Sequence, residues 1–274
     1  QWRGPRGDGI SDETGWQTTF PDSGPRILWK RNDIGIGYSG VSVSDGKLYT
    51  MGWKDGVITL FCLHVDSGDE MWSESYKSEK FAIANPGGPG STPVIDGDRV
   101  YSLGSEGQLL CQRADTGDKM WTKQVSSEFD VKAPTWGFSG SAVIVGDVLL
   151  LDLGRIVALE KNSGELIWKT NDYGSSYSTP LAFSNNGSKY IAVFPKAGLY
   201  LLDMTGRELA SFSWTTDYDV NSATPVVDGN RVFISSGYGN GGAVLQIAAA
   251  DTGLSISEVW FSKQMKNHIS SSVY

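Results

Sequence analysis

The sequence predicts an all-β fold, a β-propeller of four-stranded antiparallel blades, on three observations. A tight polar turn opening into a Trp-bearing segment recurs, as Asp66-Ser67-Gly68-Asp69-Glu70-Met71-Trp72, Asp115-Thr116-Gly117-Asp118-Lys119-Met120-Trp121 and Asn162-Ser163-Gly164-Glu165-Leu166-Ile167-Trp168. Its glycines stand 49 and then 47 residues apart, a period that belongs to propellers and solenoids. Within each period an Asp-Gly or Asn-Gly pair separates two apolar runs, the strongest short-range hairpin signal. Weaker copies of the turn follow at Thr205-Gly206, where Ala210 takes the Trp position, and at Thr252-Gly253, where the aromatic is delayed to Trp260.

Taken in order, residues 1–25 are irregular and rich in Gly, Pro and Asp, and the propeller is expected to occupy 26–274. Arg26–Lys30 has the pattern of a blade's outer strand. The first blade then runs from Tyr38-Ser39-Gly40-Val41-Ser42-Val43 through Asp45-Gly46 to Lys47-Leu48-Tyr49. The second opens at Gly90-Ser91-Thr92-Pro93 and turns at Asp96-Gly97. The third runs from Phe138-Ser139 through Val145-Gly146 to Leu151. The fourth opens at Tyr177-Ser178-Thr179-Pro180 and turns at Asn186-Gly187, and the fifth opens at Ser222-Ala223-Thr224-Pro225 and turns at Asp228-Gly229. Third strands at Ile58–Leu63, Leu109–Arg113 and Ile156–Leu159 lead into the Gly turn, and the Trp segment is the fourth strand. Four antiparallel strands per period describe a propeller blade. Five blades are complete, and His268–Tyr274 reads as the first strand of a sixth. The unpaired strand edges this leaves point to a fragment of a closed ring.

Composition narrows the function. Thirty-four glycines and ten tryptophans with 20% charged residues suit a β protein with many tight turns. A net charge of −8 argues against a nucleic-acid groove, which gathers Lys and Arg. No apolar run is long enough for a transmembrane helix. Cys62 and Cys111 each stand six residues before a turn glycine, and Ala158 holds that place in the third repeat. The repeat therefore marks a small buried position, where Cys serves as a small hydrophobe, and not a disulfide or metal site.

In a propeller the first strand of each blade lines the channel, and the residues just before it ring one mouth. Aligning the blade starts collects Tyr38, Trp136, Phe138, Tyr177, Asn221 and His268 around that opening. An aromatic-rimmed concavity with a few polar groups is the default ligand site. The plain alternative is that these rings pack the loops. His268 could bind metal or act as a base, but neither a nucleophile nor a carboxylate partner is legible beside it, so no metal or catalytic residue is assigned. Gly237-Tyr238-Gly239-Asn240-Gly241-Gly242 leads into a strand and reads as a wide hairpin, not a phosphate loop.

The turn resembles the tryptophan-docking motif of the pyrroloquinoline quinone (PQQ)-like propellers, Ala-x-Asp-x-x-Thr-Gly-x-x-x-Trp, which Ala158 through Trp168 matches apart from Glu160. The opening Gln1-Trp2-Arg3-Gly4-Pro5-Arg6-Gly7-Asp8-Gly9, with Trp29 beyond it, resembles secreted PQQ-like repeat proteins of planctomycete-type bacteria. The resemblance implies that Trp72, Trp121 and Trp168 pack on a neighbouring blade's turn, with Gly68, Gly117 and Gly164 as the docking turns. It also implies an extracytoplasmic location and a complete ring of seven or eight blades, expected to be monomeric. Two functions remain open under it. One is a non-catalytic scaffold that binds a protein or glycan partner on its channel face. The other is an alcohol or sugar dehydrogenase carrying PQQ and calcium; that branch of the family has an adjacent Cys-Cys pair, which this sequence lacks.

Overall fold

The computed structural model describes residues 2–79, 87–251 and 253–274, so Gln1 and Thr252 of the quoted motifs lie outside the described residues. Its strands form five four-stranded antiparallel sheets, each a simple meander. Blade 1 holds β1 (Ser42–Ser44), β2 (Lys47–Lys54), β3 (Val57–His64) and β4 (Glu70–Lys77). Blade 2 holds β5 (Val94–Asp96), β6 (Arg99–Leu103), β7 (Gln108–Arg113) and β8 (Lys119–Gln124). Blade 3 holds β9 (Val143–Val145), β10 (Val148–Asp152), β11 (Ile156–Glu160) and β12 (Leu166–Lys169), after a short helix α1 (Val125–Phe129) that the repeat pattern does not announce. Blade 4 holds β13 (Leu181–Asn185), β14 (Ser188–Val193), β15 (Gly198–Asp203) and β16 (Glu208–Ser213). Blade 5 holds β17 (Val226–Asp228), β18 (Arg231–Ser236), β19 (Gly241–Ala250) and β20 (Gly253–Ser262).

The hydrophobic core is divided among the blade interfaces. One cluster joins Tyr49, Ile58 and Leu60 of blade 1 to Val100 and Ala114 of blade 2. The next joins Tyr101 and Leu109 to Leu149 and Leu151. A third joins Leu150 and Ile156 to Ile191 and Leu202, and a fourth joins Phe194 and Leu201 to Val232 and Leu245. The second and third strands are therefore buried on both faces and read as continuous apolar runs. The outer strands are exposed or half-buried along their length. Cys62 and Cys111 are buried free thiols. They sit across the ladder from Trp72 and Trp121, as Ala158 sits across from Trp168. Burial pushes the Cys111 thiol up to about 11.

Two devices tie blade to blade. The first is the indole–turn contact. Trp29, Trp72, Trp121 and Trp168 donate Nε1–H to the carbonyls of Val65, Ala114, Lys161 and Met204, at 2.8, 3.0, 3.1 and 3.0 Å. Each ring lies over the next turn's glycine, where an added Cβ would stand 2.5, 2.7, 3.0 and 2.5 Å from ring carbon at Gly68, Gly117, Gly164 and Gly206. Those glycines also hold φ between +72° and +83°, so Gly is required twice over. The second device is a belt of hydroxyls at the channel. Gly40 N donates to Thr92 Oγ1, Thr92 N to Ser141 Oγ, Ser141 N to Thr179 Oγ1 and Thr224 N to Ser271 Oγ, at 3.2, 2.9, 3.0 and 2.8 Å. These amides precede the ladder of their own blade and need another acceptor. That need explains the Ser/Thr-rich starts of the blades.

Differences from the sequence reading are local. Residues 26–30 form no ladder among the described residues, and Ile27 and Leu28 are exposed, although Trp29 docks on blade 1. Residues 268–274 likewise lack a ladder, while Ser271 continues the hydroxyl belt. A strand is defined by its partner, and among the described residues neither segment has a neighbouring strand to pair with. In blade 5, Trp260 pairs with Val244 immediately before the strand bulge. Trp72 and Trp121 hold the same place opposite Cys62 and Cys111. The long β19–β20 hairpin thus absorbs the three-residue delay.

Residues 2–9, expected to be irregular, make a turn across the channel. Gly9 N donates to Arg3 O (2.9 Å), and the Arg3 guanidinium reaches the carbonyls of Asp8 (2.8 Å) and Ser272 (2.5 Å). Trp2 lies beside Gly40 of blade 1, Gly7 beside Leu181 of blade 4, and Gly9 beside Val273.

Candidate functional site

In a meander, connections alternate between the two ends of the blade. The blade-to-blade connections and the turns between second and third strands surround one mouth of the channel, called here the upper mouth. The Asp-Gly hairpins and the Gly–Trp turns surround the lower one.

The structure separates the six predicted mouth residues. Tyr38 is an exposed ring whose backbone N–H donates to Pro89 O at 2.8 Å. Trp136 and Tyr177 meet across the blade 3–blade 4 connection, with centroids 5.6 Å apart and rings tilted by 55°. Burial raises the Tyr177 phenol above its ordinary value, and hydrogen bonds with Trp136 and Thr135 partly offset the rise.

Phe138 is a correction. It is 2% exposed and packs in the blade 2–blade 3 core with Val125, Phe129 and Leu109. Counting back two residues from Thr92, Ser141, Thr179, Thr224 and Ser271 gives Gly90, Ser139, Tyr177, Ser222 and Ile269, so Ser139 holds the mouth position. The third blade opens Ser-Ala-Val where blades 2, 4 and 5 read Thr-Pro followed by Val or Leu, and α1 precedes it. Without the Pro the start can be slid by one residue.

Asn221 is also not presented to a ligand. It is 1% exposed, and its amide donates to Pro195 O and Trp214 O at 2.9 and 3.1 Å. Its oxygen accepts from Ser236 Oγ at 2.7 Å, and Ser236 Oγ accepts from Trp214 Nε1 at 3.1 Å. The side chain is a latch that joins blades 4 and 5 through a closed network. His268 stands edge-on to Tyr238, with centroids 4.7 Å apart and an angle of 75°, and covers Gly237. Tyr238 in turn meets Tyr218 at 5.1 Å. These two tyrosines belong to the upper mouth and escaped the alignment. They project from loops whose lengths vary between blades.

Two further features lie along the channel. Asp152, at the end of β10, is fully buried and takes hydrogen bonds from Gly154 N (3.1 Å) and Ser178 Oγ (3.5 Å). Desolvation pushes its carboxyl up to about 6, against the opposing pull of Ser176, Gly154, Ser178 and Phe194. Toward the lower mouth, a cavity of about 510 Å³ lies between the Trp2–Gly7 turn and the inner strands Val143–Val145 and Leu181–Ser184. The Arg6 guanidinium on its wall is paired with Asp8 and Asp12. Among the described residues no group of three or more His, Cys, Asp or Glu is gathered in metal-binding geometry, and no helix is long and apolar enough to cross a membrane.

A family model described as outer membrane protein assembly factor BamB matches residues 10–186 and 67–272. No curated protein matches the sequence. Among solved structures, BamB from Moraxella catarrhalis superposes with a TM-score of 0.60 at 19% identity, over 88% of this chain and 66% of that one. A quinohemoprotein alcohol dehydrogenase from Comamonas testosteroni gives 0.50 at 19% identity, over 67% of this chain and 36% of its own. A europium-containing methanol dehydrogenase gives 0.53 at 13% identity, over 81% and 61%. The chain thus spans two thirds or less of each, and at these identities the likeness shows the propeller fold.

Proposed function

The chain belongs to the PQQ-like repeat family described as outer membrane protein assembly factor BamB, and from that membership we propose that it is a non-catalytic, extracytoplasmic scaffold that binds a partner protein on its channel face. In this reading residues 26–274 supply the propeller, and the turn of residues 2–9 lies against blades 1 and 4. The observation that carries the proposal is the state of the upper mouth. Its aromatic rings, Trp136 with Tyr177 and Tyr238 with Tyr218 and His268, are held by one another at its rim. Rigid aromatics on loops anchored to a stiff frame suit protein recognition.

The dehydrogenase reading requires a PQQ and calcium site. Calcium takes six to eight oxygen ligands, and a quinone needs flat room beside an aromatic face. Asn221, the one buried amide among the predicted mouth residues, is committed to Pro195, Trp214 and Ser236, and Trp136 rests on Tyr177. The described residues do not fit the pair.

Two measurements test the scaffold. A photo-reactive residue at Tyr38 or Trp136 should give a discrete protein adduct in the native extracytoplasmic compartment, and one at Ser75 on the outer strand should not. Titration of PQQ with calcium should give no saturable heat. Saturable heat that is lost with Trp136→Ala would overturn the proposal.

A further inference from the structure

At blade 5, the upper-mouth rings Tyr218 and Tyr238 stand on backbone of positive φ. Of eight non-glycine residues with positive φ among the described residues, three lie here: Tyr218 (+66°), Asp219 (+59°) and Tyr238 (+56°). Asp45, Asp55 and Asn186 adopt that conformation in Asp-Gly or Asn-Gly hairpins, where it is ordinary. For a bulky Tyr it is strained, and such strain collects at functional sites. It is used here to hold two rings in the open. Tyr218 is 71% exposed and Tyr238 49%. Their centroids lie 5.1 Å apart with planes 57° to each other, so the two exposed rings stand at an angle to each other.

The support beneath is fixed. His268 backs Tyr238 and packs on Gly237, and Asn240 N closes the turn on Gly237 O at 3.2 Å. Asp219 is pinned by Lys196 at 2.8 Å. The same short turn leaves the Asp217 carboxylate exposed beside Tyr218.

We infer that the Tyr218–Tyr238 angle takes a proline-containing extended segment of the partner protein, with a basic residue of that segment placed toward Asp217. A pyrrolidine ring fills the angle between two tilted aromatic walls, and a polyproline II strand arrives with little entropy left to lose. The phenol hydroxyls can donate to its bare carbonyls. The exposed Asp217 and the net charge of −8 select a basic flank.

The inference rests on the protein-binding reading, and its test is separable from the test of that reading. An Arg-flanked polyproline peptide titrated calorimetrically into the full chain should bind saturably. Tyr218→Gly and Tyr238→Gly should each weaken binding about ten-fold or more with no loss of melting temperature, because Gly accepts the left-handed backbone that Tyr is forced into. Replacing the peptide's Arg by Glu, or Asp217→Asn, should weaken it less and mainly at low salt. No saturation, equal affinity for the Gly variants, or binding of a neutral oligosaccharide at these rings in place of the peptide would overturn the inference. Failure of the peptide while photo-adducts at Trp136 persist removes this inference and leaves the scaffold. Peptide binding without adducts removes the channel-face reading and leaves this site.

Discussion

Asp152 is a carboxylic acid buried among hydroxyls and backbone N–H groups. Its folded-state value of about 6 lies above that of an unfolded Asp, near 4. The folded chain therefore binds more protons than the unfolded one between those values, and stability falls as pH rises from about 4 to about 6, then stays at the lower level. Asp152→Asn should flatten that slope and raise stability at pH 7 by about 1–3 kcal/mol. Denaturant midpoints at pH 4 and pH 7 check this, and a variant less stable than the parent at pH 7 would contradict it. Nothing around Asp152 in the sequence marks it. Its equivalents in other blades include Leu103 and Ser235, so the acid is visible only as a departure from a register that itself had to be seen in three dimensions.

Between elements, the indole–turn contact is the unit of blade stacking, and it was the most legible feature of the chain. Gly117→Ala places a methyl 2.7 Å from the Trp72 ring and forces an L residue to φ +78°. A loss of about 2–4 kcal/mol is expected. Gly97→Ala, at φ +57° with nothing within 4 Å, carries the backbone cost alone, about 1 kcal/mol. Thermal unfolding of the two variants separates docking from conformation, and equal losses would show that the ring contact contributes nothing. The hydroxyl belt is the less legible counterpart. Ser- and Thr-rich blade starts were plain in the sequence, but the donor of one blade and the acceptor of the next lie 38 to 52 residues apart. The one-residue slip at Phe138 has the same origin: blade 3 lacks the Pro that fixes the start in blades 2, 4 and 5, and only the belt sets its register.

For the whole molecule, the turn formed by residues 2–9 acts as a brace. Arg3 is partly desolvated, which lowers its pKa, and it ties this turn to Ser272, while Trp2 and Gly7 touch blades 1 and 4. Arg3→Met keeps much of the bulk and removes the donors. It should raise hydrogen-exchange rates at 270–273 and at Thr224, whose amide depends on Ser271, with little change in blades 2 and 3. Uniform protection after the change would show that the brace carries no load. A sequence reading had no purchase on this segment, since its Gly and Pro content describes a turn without naming what the turn touches.

The sequence by itself determined the blade. Its period, Gly–Trp turns and Asp-Gly hairpins are local, repeated and set by backbone conformations that few residues accept. Tertiary structure alone decided what each blade edge meets: Asn221 as an interblade latch, Phe138 as core, the N-terminal turn in the channel, and Tyr218 beside Tyr238. Those outcomes depend on loops of unequal length packing against residues distant in the chain, and periodicity carries no information about them.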